Sequence, residues 1–308
     1  MSTAILLLAH GTPESSDQVP EYMRFITGGR PLPDAVIAEV QHRYSLIGRS
    51  PLTDITCAQA EKLSTALKMP VYYGMRNWHP FIKDVVAQML ADGVTKTIAL
   101  CLAPQNSRTS VGMYRKALME AAEGKFEVDF IEAWHDEGQL AHAFAVKLAE
   151  AYKAAVADKS QPAILFTAHS VPCRTIQSES EAKTGDPYSI QCKHTAENVI
   201  REVVGLVPSL KNTDWSFAFQ SQGMSGGTWT GPTVEDTLTA LASLGHKSVL
   251  LQPIGFVCDH VEVLYDIDIA FKKFAEDKGM KLMRTESLND SPEFIAALVA
   301  VVHRSLNF

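Results

Sequence analysis

An α/β fold built from two Rossmann-like half-domains is predicted by three features of this 308-residue sequence. Apolar runs of strand length alternate with amphipathic stretches of helical length, the order that builds parallel sheets. The runs are apolar almost throughout, as suits strands covered on both faces. The pattern also repeats. "AILLLAHGTP" at 4–13 returns as "AILFTAHSVP" at 163–172, with six of ten positions identical, including His10 and His169. The shared His and Pro go beyond what two apolar strands share by chance, and point to an internal duplication.

In chain order, the first half opens with a strand at 4–9, followed by helices at 34–47 and 54–68. A strand at 71–75 and a helix at 80–92 come next, then a strand at 97–103, a helix at 111–123, a strand at 126–131 and a long helix at 137–157. The second half runs strand 163–168, helix 188–205, strand 216–220, helix 233–244, strand 248–254, helix 262–277, strand 281–283 and helix 292–305. Four strands per half predict two parallel four-stranded sheets. Weaker echoes keep the same order. "VTKTIALCLAP" (94–104) resembles "GHKSVLLQPIG" (245–255), and "YYGMRNWHP" (72–80) resembles "FQSQGMSGGTWTGP" (219–232). The join falls in "AAVADKSQP" (154–162), which predicts lobes at 1–158 and 159–308, with the last helix packing back on the first lobe.

Composition narrows the function. Hydrophobic content of 46% and charged content of 20% are those of an ordinary globular protein. A net charge of −7 argues against a nucleic-acid binder or a polybasic membrane anchor. No window approaches 18 consecutive apolar residues, so no integral membrane segment is expected. The opening "MSTAILLLAHG" lacks a basic leading region and reads as a first strand, not a signal peptide. A cytoplasmic protein is expected. Five scattered cysteines without a C-x-x-C pair read as reduced thiols, and none follows Cys258, so no iron–sulfur cluster is expected.

The richest chemistry lies in "PIGFVCDHVEVLYDID" (253–268), where an apolar strand runs into Asp259, His260, Glu262, Asp266 and Asp268. Parallel sheets bind ligands beyond the carboxyl ends of their strands. His10, His169 and Glu262 all stand there. On a helix, Glu262 and Asp266 share a face and Asp268 points elsewhere. A purely structural alternative has Asp259 as N-cap with Glu262 completing a capping box. A His and a Glu brought together from two motifs would instead hold a divalent metal in an open, exchangeable site. Arginines and aromatic residues mingle in the first half. Arg43, Tyr44 and the turn "GRSP" with Ser50 are the candidates for holding a flat, carboxylate-bearing ligand.

"LLLAHGTP", "RYSLIGRSPLT", "GMRNWHP", "LAPQNSRTSVGMY", "FTAHSVP", "GDPY", "WTGP" and "GFVCDHVEVLYD" together resemble the ferrochelatase family over nearly the whole chain, most of all its bacterial coproporphyrin form. The resemblance implies a chelatase-like two-lobed fold and insertion of Fe2+ into a porphyrin lying between the lobes. It places the metal-side pair at His169 and Glu262, with Asp266 one step further out. The porphyrin contacts fall on His10, Arg30, Arg43, Tyr44, Ser50 and Tyr114. Two departures stand out. His10 replaces a Tyr that many coproporphyrin-type members carry. A carboxylate ladder that some members continue at the fourth and eighth positions after Glu262 here reads Asp266 and Ala270, which leaves an outer metal site without support.

The implied reaction uses Fe2+ as substrate and no prosthetic group. The cleft walls bend the macrocycle, neutral His169 takes a pyrrole proton, and Glu262 draws in the metal. Alternatives are a protoporphyrin IX ferrochelatase, a cobalt chelatase of corrin biosynthesis, or a porphyrin-binding protein without turnover. A monomer with transient contacts to neighbouring haem-pathway enzymes is expected.

Overall fold

The computed structural model describes residues 2–176, 185–222 and 227–306. Positions 223–226, part of one sequence echo, lie outside them.

The first lobe contains β1 (Ser2–Ala9), α1 (Val19–Thr27), α2 (Asp34–Ile47), α3 (Leu52–Leu67), β2 (Val71–Met75), α4 (Ile82–Ala91), β3 (Val94–Cys101), α5 (Val111–Ala122), β4 (Glu127–Ile131) and α6 (Gly138–Ala157). The second contains β5 (Ala163–His169), α7 (Cys173–Ile176), α8 (Tyr188–Leu206), β6 (Trp215–Gln220), α9 (Val234–Ser243), β7 (Ser248–Pro253), a π-helix (Glu262–Phe271) continuing as α10 (Lys272–Asp277), β8 (Lys281–Arg284) and α11 (Pro292–Leu306). The sheets run β2-β1-β3-β4 and β6-β5-β7-β8, with every pairing parallel. The repeated sequences occupy matching slots: β1 and β5, β2 and β6, β3 and β7.

The unbroken apolar runs are explained by burial on both faces. Ile5 and Leu7 of β1 point into one core, while Ala4, Leu6 and Leu8 point into another with Ile82, Val86 and Leu118. The alternation is the strand's period of two. In β5, Ile164 and Phe166 join the core that holds Ile5 and Leu7, so one hydrophobic core spans both sheets. Each large aliphatic or aromatic side chain buried there stabilises the fold by about 1.5–3 kcal/mol.

The C-terminal segment closes over the first lobe. Gln59 donates to the Asn289 carbonyl at 2.7 Å, Lys62 pairs with Asp290 at 2.6 Å, and Ser305 donates to Asp129 at 2.6 Å. Phe294 of α11 is fully buried and stacks obliquely near Trp134.

Two elements differ from the sequence expectation. Helix α1 was not anticipated. It has Pro20 in its first turn, buries Val19, Tyr22 and Met23, and stops at Gly28 with φ +62°, a left-handed stop that glycine adopts without steric cost. The segment expected as one α-helix over 262–277 is a ten-residue π-helix followed by a short α-helix. Its buried apolar residues Val263, Ile267 and Phe271 recur every four positions, with Asp266 buried beside Ile267. π-helical turns are rare and concentrate at functional sites.

Candidate active site

The carboxyl ends of the two central strands face one cavity of about 450 Å3 between the lobes, a size suited to a small organic ligand. His10, just past β1, and His169, the last residue of β5, both line it, as do Arg76, Tyr114, His260 and Glu262. Two glycines let the strand ends approach this closely. A Cβ on Gly11 would lie 2.8 Å from the Trp78 nitrogen, and one on Gly255 would lie 2.8 Å from the Ala168 Cβ. Gly11 also has φ +88°. Only glycine fits such turns.

On the second-lobe side, His169 Nε2 stands 3.5 Å from Glu262 Oε1, and His260 Nε2 stands 3.7 Å from Glu262 Oε2. His169 Nδ1 donates to the Ser170 carbonyl, which leaves Nε2 aimed at the carboxylate. His260 Nδ1 donates to the Cys258 carbonyl at 3.0 Å. Phe256 packs edge-on against both rings. Burial acts to depress the His169 imidazolium, but the Glu262 carboxylate outweighs it and lifts the pKa to about 9. Burial likewise opposes ionisation of Glu262, yet His169 and His260 hold its pKa well below the usual carboxylate range. Each group thus favours the charged form of the other. The sequence reading took His169 as neutral, whereas the Glu262 carboxylate beside it favours the protonated ring.

Asp259 does not cap the following helix. Its carboxylate accepts from Ser287 at 2.7 Å and Asn289 at 3.0 Å and faces Arg284 at 3.2 Å. The helix instead starts after Val261 with no side-chain cap. Asp259 ties the loop that carries His260 and leads into Glu262 to the end of β8 and the segment after it. Asp268 is paired bidentately with Arg284, both contacts at 2.8 Å. Asp266 is buried, accepts from Ser221 Oγ and lies 3.5 Å from Arg43. Desolvation raises its pKa.

The other residues proposed from sequence are distributed unevenly. Tyr44 lines the cavity, with its hydroxyl 3.0 Å from Thr12 Oγ. Tyr114 lines it beneath the Arg76 guanidinium, 5.1 Å from the ring centre. Arg43 is not among the lining residues. It pairs with Glu39 at 3.0 Å and with Asp266, and lies over Tyr265. Ser50 is buried outside the cavity lining, its hydroxyl without a hydrogen-bond partner. Arg30 is exposed beyond the end of α1, with Nε donating to the Thr27 carbonyl at 3.1 Å. The structure brings neither Ser50 nor Arg30 to the cavity. Sequence reasoning noted His260, Arg76 and Tyr22 within its residue clusters but did not single them out as site residues, and all three line the cavity. His260 was two residues from Glu262 in the same motif, a usable signal. Tyr22 comes from the helix that was not anticipated.

Among the described residues, no three His, Cys, Asp or Glu side chains form a ready metal cage. Cys258 lines the cavity, but burial pushes its thiol up to about 12, which leaves it a weak ligand.

The ferrochelatase family model matches residues 2–306. A ferrochelatase of Acidobacterium capsulatum is 53% identical, with 99% of this chain and 94% of that one covered. The Bacillus subtilis protein named coproporphyrin III ferrochelatase is 34% identical, with 98% and 97% covered. Among solved structures, the sirohydrochlorin chelatase SirB of Bacillus subtilis subspecies spizizenii, in complex with cobalt, superposes with a TM-score of 0.58 at 11% identity. It covers 100% of this chain and 96% of that one, a likeness of fold. With a family match along almost its entire length and a histidine–glutamate pair at the mouth of two parallel sheets, this chain belongs to the ferrochelatase family, the enzymes that insert metal into a porphyrin in haem biosynthesis.

Proposed function

We propose that the chain inserts Fe2+ into coproporphyrin III, giving iron coproporphyrin, in the cytoplasm. The observation that carries the reaction is the His169–Glu262 pair on the cavity wall. The porphyrin preference draws on two supports. Relatives named coproporphyrin III ferrochelatase share 34% and 35% identity over nearly the whole chain. Cations at the cavity, Arg76 inside and Arg174 exposed in its lining, suit a substrate with four carboxylates. Among the described residues no helix is long and apolar enough to cross a membrane. An anaerobic absorbance assay with Fe2+ and either coproporphyrin III or protoporphyrin IX tests the proposal. Conversion of protoporphyrin alone would reverse the preference, and insertion of Co2+ alone would indicate a cobalt chelatase.

In this reading Glu262, anionic at working pH, draws Fe2+ to the ring face. The arriving cation repels the imidazolium proton of His169, which leaves, and the neutral ring then accepts a pyrrole proton. Insertion releases two pyrrole protons, so the pair accepts them in turn and passes the first outward before taking the second. Asp266, four residues further along the π-helix with a pKa raised by desolvation, would relay one outward. Asp266→Asn is expected to slow turnover about tenfold or less, because it keeps the shape and lies outside the pair. Measured turnover lower than that of Glu262→Gln would exclude this order.

His10 faces the cavity from the opposite lobe. Imidazole is a common haem ligand, so bound ferric product should show a histidine-type spectrum. His10→Ala is expected to shift that spectrum. An unchanged spectrum would restrict His10 to its hydrogen bonds with the turn.

A further inference from the structure

Both ring nitrogens of His10 have hydrogen-bond partners in the protein. Tyr22 Oη lies 3.0 Å from Nδ1 and 3.1 Å from the Gly11 carbonyl, and Asn77 Nδ2 lies 3.1 Å from Nε2. A tyrosine hydroxyl has one proton to give. The pattern that satisfies every group has the Tyr22 hydroxyl donating to the Gly11 carbonyl and Nδ1–H donating to Tyr22 Oη. Asn77 Nδ2–H then donates to the Nε2 lone pair. This is also the tautomer that an iron-bound histidine needs, with Nδ1–H anchored by the protein and Nε2 bearing the free electron pair. The ring is therefore already oriented as a ligand, but its ligating electrons are covered.

Asn77 is held in place independently of the ring. It is buried, and its backbone N–H donates to the His10 carbonyl at 3.0 Å, while the Arg76 N–H donates to the Ala9 carbonyl at 2.9 Å. These two bonds continue the β1–β2 ladder past the strand ends, so the amide is carried by the sheet itself. Tyr22, edge-on to His10 at 6.1 Å, fixes the ring plane from the other side.

We propose that Asn77 is a positioning residue that masks His10: its amide competes with product iron for Nε2 and so limits how tightly the product is held. The mask rests on the reading that the product is an iron porphyrin. Ligation requires the Asn77 amide to leave Nε2, and each release of product is helped by its return. The Asn77–Nε2 bond thus favours turnover over a tightly ligated dead end.

Two variants predict opposite outcomes. Asn77→Ala removes the competitor, so ferric iron coproporphyrin should bind with a stronger histidine-type Soret and charge-transfer signature. It should leave roughly fivefold more slowly, the equivalent of about 1 kcal/mol. Asn77→Asp substitutes a carboxylate that only accepts hydrogen bonds. It draws a proton onto Nε2, moves the lone pair to Nδ1, and should erase the histidine signature and speed release. The measurement is the absorbance of purified full-length protein with added iron coproporphyrin, and the rate of transfer of that product to excess apomyoglobin, with wild type and His10→Ala alongside. A purely structural role for Asn77 would move both variants the same way. Wild-type spectra and release rates in both variants, or shifts in one direction only, would overturn the mask. If wild type inserts iron into neither porphyrin, the functional reading itself fails and takes the mask with it. If wild type turns over while the Asn77 variants stay silent, the mask alone fails.

Discussion

His169→Ala is expected to lower iron insertion on the order of 10²- to 10⁴-fold, the loss typical of removing a positioned base. On the proposed mechanism the substitution removes the acceptor of pyrrole protons, and it removes the imidazole 3.5 Å from Glu262. The walls of the cavity come largely from other elements, among them Tyr44, Tyr114 and Val257, so porphyrin binding should persist. Fluorescence quenching of the bound porphyrin measures the second quantity, and anaerobic turnover measures the first. A variant that keeps half of wild-type turnover would exclude His169 from the chemistry. A variant that loses turnover and porphyrin binding together would make it a wall residue only.

Much of this site was legible in the sequence, because the features that reveal it are local. A strand buried on both faces needs a continuous apolar run, and β1 and β5 have one. The residue that follows such a strand in a parallel sheet lies at the ligand edge, which marked His10 and His169 without any knowledge of their partners. Glu262 was marked by its place after β7. What was not legible depends on contacts between distant segments. His10 and Asn77 are far apart in the chain and meet only because β1 and β2 are neighbours in the sheet. Asp259 looked like a cap because a cap needs only local spacing, whereas its real partners, Arg284, Ser287 and Asn289, arrive from the end of β8 and the segment after it. Arg43 and Asp266 come from different lobes. The π-helix was hidden because α and π coils share nearly the same amphipathic pattern.

Glu262→Gln should reduce insertion on the order of 10²-fold or more, while keeping the shape of the site. A unit charge some 4 Å from a cation is worth about 4 kcal/mol at an effective dielectric of 20, and the amide forfeits it toward both Fe2+ and His169. The consequence for His169 can be followed without any turnover. Its pKa of about 9 exists because the carboxylate outweighs desolvation. With Gln in place the desolvation remains and its main opponent is gone. The His169 pKa should then fall below the ordinary 6.5, so the ring loses its proton at pH 7 instead of keeping it. Nuclear magnetic resonance of ¹⁵N-labelled histidines, titrated from pH 5 to 10, reads this shift in the metal-free protein. In wild type, the imidazolium stabilises the pair below the folded pKa, and that contribution disappears as pH rises through about 9. In the variant no such loss should occur there. A His169 that titrates near 9 in both proteins would show that the carboxylate does not set its charge. The proposed release of the His169 proton by incoming iron would then lose its basis, even if Glu262→Gln were inactive for another reason.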